Sequence, residues 1–220
     1  MKKLLTLLLA FSVMPAFAGM NGFVGYTSDY MWRGQTQTQG GGAFQAGVDL
    51  DYEGFYVGAW ASEVDFGDDS ASLEYDLYGG YKFQVSDKLS MDVGVMQYRW
   101  DDNDIEMVEE AFVRFSSPLI GFGYSVDTDN SEKDYMEVVL NVPFIKVVDV
   151  GFTYGRFPDD TNWKGLSLSK SWNKIDLGLM IMEDAKDGQF ADNVSLTLIH
   201  ENTFSTKSSL LITSSGETYK

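Results

Sequence analysis

The stretch that decides the fold is Leu73-Glu74-Tyr75-Asp76-Leu77-Tyr78-Gly79-Gly80-Tyr81-Lys82-Phe83-Gln84. Its odd positions are apolar, aromatic or glycine, whereas its even positions hold every charge. Successive side chains of a strand point to opposite faces, so this period of two predicts a strand with one apolar and one polar face. The same alternation recurs over 43–52, 147–157 and 174–183, and no window of the mature chain shows convincing helical spacing.

The connections between the predicted strands alternate in length. We place strands at 20–32, 43–52, 55–66, 73–84, 89–100, 107–117, 119–127, 135–145, 147–157, 163–172, 174–183 and 193–204. Short and longer connections then alternate strictly along the chain, and no connection exceeds ten residues. Outer-membrane barrels have short periplasmic turns and longer outer loops. The sequence therefore predicts an all-β fold, a transmembrane antiparallel β-barrel of about twelve strands, with ten to fourteen possible. The modest loops favour a monomer without a long loop folded into the lumen.

The two ends of the chain differ from this pattern. Lys2 and Lys3, an apolar stretch over 4–14 and Ala16-Phe17-Ala18 have the order of a cleaved secretory signal peptide. We predict a signal peptide at 1–18 and a barrel at 19–204 in the outer membrane of a Gram-negative cell. Residues 205–220 are predicted to form a polar C-terminal tail or an atypical last strand, because Phe204 would suit the usual terminal aromatic.

Composition excludes several classes of function. The chain has 33 acidic and 16 basic residues, a net charge of −17, one histidine and no cysteine. Nucleic-acid binding needs clustered Lys and Arg, so we expect no nucleic-acid partner. No cofactor or metal site is expected, because no acidic loop has the full calcium-loop spacing. His200 has no marked serine partner, so we predict that the protein is not an enzyme and keep an outer-membrane hydrolase only as a remote alternative.

The charged positions are assigned to the lumen by their parity on the strands. A Lys or Arg on the lipid face near the bilayer midplane costs about 2–4 kcal/mol, so these charges are expected to point inward. The candidate lumen-lining residues are Asp29, Arg33, Asp49, Asp51, Glu74, Asp76, Lys82, Asp92 and Asp176. An acidic wall concentrates cations, which predicts a mild cation preference. The alternative is that these charges pair with one another and plug the barrel.

Aromatic residues cluster near the predicted strand ends, where membrane barrels carry two interfacial girdles. The candidate girdle residues are Tyr30, Trp32, Trp100 and Trp163 beside the long loops, and Tyr52, Phe55 and Trp172 beside the short turns. The alternative is that these rings fill a large soluble β core.

Three segments resemble one family of proteins. Thr27-Ser28-Asp29-Tyr30-Met31-Trp32-Arg33-Gly34-Gln35-Thr36-Gln37-Thr38 resembles the opening signature of the TorF-type porin family, which reads Ser-Asp-Tyr, two residues, Arg-Gly and then a Ser/Thr/Gln-rich loop. The segments 54–66 and 74–81 resemble it further. This resemblance covers about residues 19–100 and implies a secreted, barrel-forming outer-membrane protein with poorly defined substrates.

These observations predict a passive porin-like channel for small hydrophilic solutes. The expected partners are outer-membrane lipid and lipopolysaccharide, the barrel-assembly machinery and the transported solutes. The alternative is a closed structural or adhesion barrel with acidic extracellular loops and no conductance.

Overall fold

The computed structural model describes residues 19–67, 70–102 and 104–183, and the backbone of 190–201. Fourteen strands occur in these ranges, and twelve of them close into one antiparallel barrel. The barrel strands are β1 (Gly19–Thr27), β4 (Ala43–Tyr52), β5 (Phe55–Glu63), β6 (Leu73–Ser86), β7 (Leu89–Trp100), β8 (Val108–Ser116), β9 (Ile120–Asp127), β10 (Tyr135–Asn141), β11 (Asp149–Arg156), β12 (Asn162–Trp172), β13 (Ile175–Glu183) and β14 (Phe190–Glu201). A separate two-stranded hairpin is formed by β2 (Met31–Trp32) and β3 (Gln35–Thr36).

The ring closes between the first and the last barrel strand. Each barrel strand pairs with its chain neighbours, and β1 pairs with both β4 and β14. Asn21, for example, lies opposite Asp49 on one side and Glu201 on the other. A closed ring pairs the backbone without free edges, as a sheet in lipid requires. The predicted all-β antiparallel barrel of about twelve strands is therefore confirmed. In the described ranges, no helix is long and apolar enough to cross a bilayer.

The two faces of the barrel differ as the alternation predicts. Large apolar side chains such as Val24, Phe44 and Val95 are exposed on the outside. Positions of the opposite parity, among them Asp49 and Glu74, are buried inside. Charged and aromatic side chains thus lie on the inner face, while the outer surface is suited to acyl chains.

One connection departs from the predicted strict alternation. Short turns join strands at 53–54, 87–88, 117–119 and 173–174, but the connection between β10 and β11 runs over 142–148. The strand predicted at 135–145 therefore begins where expected but ends at Asn141, and the predicted short break at Lys146 is wrong. Pro143 explains the early end of β10, because proline has no N–H to donate to a strand partner. The Val142 N–H donates to the Val150 carbonyl just before it.

Several predictions fall outside the described structure. The signal peptide at 1–18 and the tail at 205–220 lie outside the described residues, and so does the side chain of His200. These remain predictions from sequence.

Candidate functional site

The first long connection folds into the barrel. The predicted strand 20–32 ends at Thr27, and residues 28–42 leave the wall and carry the β2–β3 hairpin. We call residues 28–42 the mouth hairpin. Its turn is Arg33-Gly34, whose φ angles of 49° and 79° are both positive. Positive φ at both central residues is typical of the type I′ turn, which suits the twist of two-residue hairpins. The connection therefore runs over 28–42 instead of the predicted 33–42, so the expectation that no connection exceeds ten residues is wrong.

Side-chain hydrogen bonds within the polar tract hold the base of the mouth hairpin. The Asp29 carboxylate accepts hydrogen bonds from the hydroxyls of Thr36 (2.6 Å) and Thr38 (3.0 Å). The Tyr30 N–H donates to the Thr38 hydroxyl oxygen at 3.0 Å, and the Gln37 N–H donates to the Tyr30 carbonyl at 2.7 Å. Short polar side chains stabilise turns by bonding the local backbone, so the Thr/Gln-rich tract determines the shape of this segment.

One side of the mouth hairpin packs on the aromatic wall of the barrel. Tyr30 is 1% exposed, and its hydroxyl donates to Glu74 Oε1 at 3.0 Å. Its ring meets Trp60 edge to face, with centroids 5.3 Å apart. Trp32 meets Tyr98 in the same way at 5.8 Å. Edge-to-face pairs of this kind add to the stabilisation from burial.

The tip of the mouth hairpin ends in a paired ionic contact. Arg33 Nη1 and Nη2 donate to Glu110 Oε1 and Oε2 at 2.7 Å and 2.6 Å, and the two side chains are 10% and 3% exposed. The Arg33 guanidinium also lies over the rings of Trp32, at 4.4 Å, and Tyr135, at 4.1 Å. A bidentate, charge-assisted contact shielded from water is among the strongest polar contacts available to a protein. Glu110 was not predicted as a site residue.

The far side of the hairpin reaches the opposite wall. Gly34 lies so close to Trp163 that an added Cβ would be 2.5 Å from its Cγ atom. Met31 is buried in a cluster with Trp163, Met180 and Met182. The hairpin therefore touches residues of β5 to β8, β10, β12 and β13. Its contacts lie near the strand ends that adjoin the long connections, so the hairpin spans that mouth of the barrel.

Tyrosine hydroxyls satisfy many of the interior carboxylates. In each pair the tyrosine O–H donates to an Asp or Glu oxygen, and several of these groups are buried. The pairs are Tyr30–Glu74 (3.0 Å), Tyr56–Asp92 (2.8 Å), Tyr78–Asp49 (2.5 Å), Tyr98–Glu110 (3.3 Å) and Tyr135–Glu137 (3.1 Å). A buried carboxylate without donors is costly, so neutral O–H donors take the place of scarce basic residues. The sequence signal for these pairs is a tyrosine at a strand position that shares the inward-facing parity of the charged residues, as Tyr78 does.

The predicted lumen-lining residues lie at the following places. Buried inside are Asp29, Asp49, Glu74, Asp76 and Asp92, whereas Arg33, Asp51, Lys82 and Asp176 are half-buried. Asp29 and Arg33 belong to the mouth hairpin instead of a barrel strand. The structure brings Arg33 to Glu110, and it brings Lys82 opposite Asp92. Within the described ranges, no three His, Cys, Asp or Glu side chains are arranged to hold a metal ion.

The predicted aromatic girdle at the long-loop rim is wrong for four residues. Tyr30 and Trp163 are buried in the interior, while Trp32 and Trp100 pack against the interior cluster. Proximity to a long loop suggested the girdle, but parity decides the face: Trp100 shares the inward parity of Asp92. At the short-turn rim the side chains are placed as follows: Phe55 and Trp172 are exposed, and Tyr52 is half-buried.

The wall opposite the aromatic side carries small residues. The inward positions of β9 to β13 toward the short turns are Gly121, Gly123, Val139, Asn141, Gly151, Thr153, Gly165, Ser167, Ser169, Ser171, Asp176 and Gly178. We call this set the small-residue wall. Its three serines are partly exposed although they point inward, so this side of the interior is accessible to solvent. A cavity of about 30 Å³, bordered by Ser116, Gly121 and Asn141, lies here. This volume is enough for a water molecule.

A closed twelve-stranded barrel with an apolar outside and a polar inside that is partly accessible to solvent defines a porin-like β-barrel protein. The chain belongs to the family described as "Bacterial protein of unknown function (Gcw_chp)", whose model matches residues 17–173. The TorF-type family itself is not confirmed. No curated protein matches the chain.

Solved structures agree on the fold. A structure described as "KdgM porin" is 11% identical with a TM-score of 0.57, and the match covers 81% of this chain and 98% of that one. A second, "KdgM porin in complex with disordered oligogalacturonate", is 9% identical with a TM-score of 0.54 and covers 85% and 99%. At these identities the likeness shows that this chain has the fold of a porin barrel.

Proposed function

We propose that the protein is a passive, porin-like channel of the outer membrane for small hydrophilic solutes. The observation that carries this proposal is the small-residue wall: inside a closed barrel, inward serines at 167, 169 and 171 remain partly exposed. Large side chains fill the aromatic side, so the free path runs along the side with glycine and serine. A lumen lined by small polar groups offers water and solutes hydrogen bonds without a tight site.

The charge of the interior favours cations and neutral solutes. The basic residues that reach the interior are already in contact with other groups: Arg33 with Glu110, Lys82 opposite Asp92 and Arg114 over the Phe112 ring at 4.1 Å. Carboxylates such as Asp51 and Asp176 are half-buried on the inner face. An excess of fixed negative charge lowers the local concentration of anions. We therefore propose a mild cation preference. Oligogalacturonate, the polyanion in the name of one KdgM structure, is a poor fit to such a lumen.

The same proposal includes the surroundings of the protein. The exposed apolar outer face would contact outer-membrane lipid and lipopolysaccharide, and the barrel-assembly machinery would insert it. Transport through such a lumen requires no reaction, so we propose a protein without enzymatic activity. The alternative is a closed structural barrel, which the aromatic interior and the mouth hairpin favour.

Planar-bilayer recording of the purified protein separates the two functions. An open lumen gives discrete current steps, and a salt gradient of KCl gives a reversal potential with the sign of cation preference. The matched variant Asp176→Asn removes a charge from the small-residue wall and is expected to weaken the preference without abolishing the steps. Absence of steps both from the folded parent and from folded variants in which the mouth hairpin is released would contradict the channel and support the closed barrel. Anion selectivity would contradict the charge assignment.

A further inference from the structure

We propose that the mouth hairpin is a displaceable plug, latched by the ion pair between Arg33 and Glu110, and that passage through the mouth requires this latch to open. The proposal rests on the proposed channel function and adds the element that limits it. The hairpin spans the long-loop mouth, whereas the partly exposed small-residue wall lies toward the short turns. A solute that enters from the long-loop side therefore meets the hairpin before it reaches the small-residue wall.

The tip is held by side chains and not by the backbone ladder of the barrel. The hairpin has two pairs of its own, Met31 with Thr36 and Trp32 with Gln35. At its base the Gln37 carbonyl accepts a hydrogen bond from the Asp65 N–H at 2.8 Å. The base is thus tied to the chain around it, while the tip depends on contacts that side-chain rearrangement can break. A loop that is fixed at its base and held at its tip only by side chains can swing about its base as a hinge.

The latch is sensitive to charge because of the residues around it. Asp76 lies near both Glu74 and Glu110, and all three carboxylates are buried. One carboxylate oxygen of Asp76 has no hydrogen-bond partner among the described residues. Arg33 is thus the counter-charge that lets the acidic group remain buried with the hairpin in place. Removing one partner of a buried ion pair leaves an uncompensated charge, which is far more destabilising than removing both. Loss of Arg33 should therefore expel the tip and hydrate the carboxylates.

The latch also has a geometric signature. The Arg33 fork contacts both Glu110 oxygens, while its planar face lies on Trp32 and Tyr135. Lysine keeps the charge but can supply neither the fork nor the stacked plane. Arg33→Lys should therefore weaken the latch without removing its charge, which separates a specific latch from general charge balance.

The experiment compares Arg33→Glu, Glu110→Arg, the double charge swap and Arg33→Lys with the parent protein. Single-channel conductance in planar bilayers is expected to rise several-fold in both single charge reversals, to return toward the parent value in the double swap and to be intermediate in Arg33→Lys. A shift in mobility between unheated and boiled samples on electrophoresis establishes that each variant is folded.

A second readout does not depend on current. The chain has no cysteine, so Gln35→Cys places a single thiol beside the tip. Its reaction with a bulky maleimide, added to folded protein in vesicles, is expected to be slow in the parent background. The reaction should be fast with Arg33→Glu, intermediate with Arg33→Lys and slow again in the double swap. If Arg33→Glu fails to fold, the labelling rate of Arg33→Lys still tests whether weakening the latch exposes the hairpin tip.

The outcomes separate the plug from the channel. Unchanged conductance and labelling in the folded variants would overturn the plug. The channel proposal is then tested by the parent protein alone, which must show current steps. A silent parent with conducting variants supports the plug and shows that the resting protein is closed. If parent and variants are all silent and the thiol stays protected, both proposals fail.

Discussion

Gly34→Ala tests whether the mouth hairpin lies inside the barrel. Gly34 has a φ of 79°, and a Cβ built there would lie 2.5 Å from Trp163 Cγ and 2.6 Å from Trp163 Cβ. Left-handed backbone costs a residue with a Cβ about 1–2 kcal/mol. Overpacking against a fixed ring adds about 1–3 kcal/mol. We therefore expect Gly34→Ala to lower the free energy of unfolding by about 2–5 kcal/mol, unless the tip undocks first.

The chain offers a matched control in the same hairpin. Gly40 has a φ of 77°, and a Cβ built there would have no heavy atom within 4 Å. Gly40→Ala should therefore show the backbone cost alone, about 1–2 kcal/mol. The difference between the two variants isolates the contact of the hairpin tip with Trp163.

The assay is urea unfolding in lipid vesicles, followed by tryptophan fluorescence, with hydrogen exchange over 28–42 as the local readout. Undocking would appear as faster exchange in Gly34→Ala than in Gly40→Ala. If the two variants lose equal stability and exchange at equal rates, Gly34 does not pack on Trp163 and the hairpin does not span the mouth.

Three further changes test other parts of the barrel. Tyr78→Phe removes the hydroxyl that donates to Asp49 Oδ1 at 2.5 Å, and urea unfolding should show a loss of about 1–3 kcal/mol; an unchanged midpoint would refute the pair. Leu77→Arg places a charge on the outer face of β6 and should cost about 2–4 kcal/mol in vesicles if that position lies near the bilayer midplane, whereas a cost below about 0.5 kcal/mol would contradict the face assignment. The Ser72 hydroxyl and N–H donate to Asp101 and lower the pKa of that carboxyl, so this contact stabilises the loop above the unfolded pKa of about 3.9 and is lost as pH falls through the lower folded value. The protection of the Ser72 amide, measured relative to its intrinsic exchange rate at each pH, should then fall on acidification, and the same fall in Asp101→Asn would count against that cause.

The barrel could be predicted from sequence because its determinants are local. The alternation over 73–84 reflects the pleat of one strand, and a shift by one residue would turn every apolar side chain inward. The same parity placed Asp49, Glu74 and Asp92 on the inner face, where the structure has them. The early end of β10 was missed although the signal, Pro143, is local.

The mouth hairpin could not be predicted, because its direction depends on distant residues. Its Thr/Gln-rich tract has the composition of an outer loop, and only the positions of Glu110, Tyr135 and Trp163 on other strands make the lumen the better place for it. The predicted girdle at the long-loop rim was wrong for the same reason: an aromatic ring near a loop can face the membrane interface or can pack against a loop that folds inward. The Arg33-Gly34 turn was the local signal, since such a pair favours a tight hairpin.

The charge of the interior links the fold to the hairpin. Carboxylates on neighbouring inner positions repel one another, and burying them requires donors or counter-charges. Tyrosines on the barrel wall supply hydroxyl donors, as Tyr78 does for Asp49, but a neutral donor does not cancel charge. At the mouth the cation comes from the connection: Arg33 reaches Glu110 from outside the strand ladder. A counter-charge on a connection can leave, whereas one on a strand cannot. On this proposal the acidic mouth has two states. In one, Arg33 neutralises the carboxylates and the hairpin plugs the mouth; in the other, the hairpin has left and the charged carboxylates face water. The second state would attract the cations that the channel is proposed to favour.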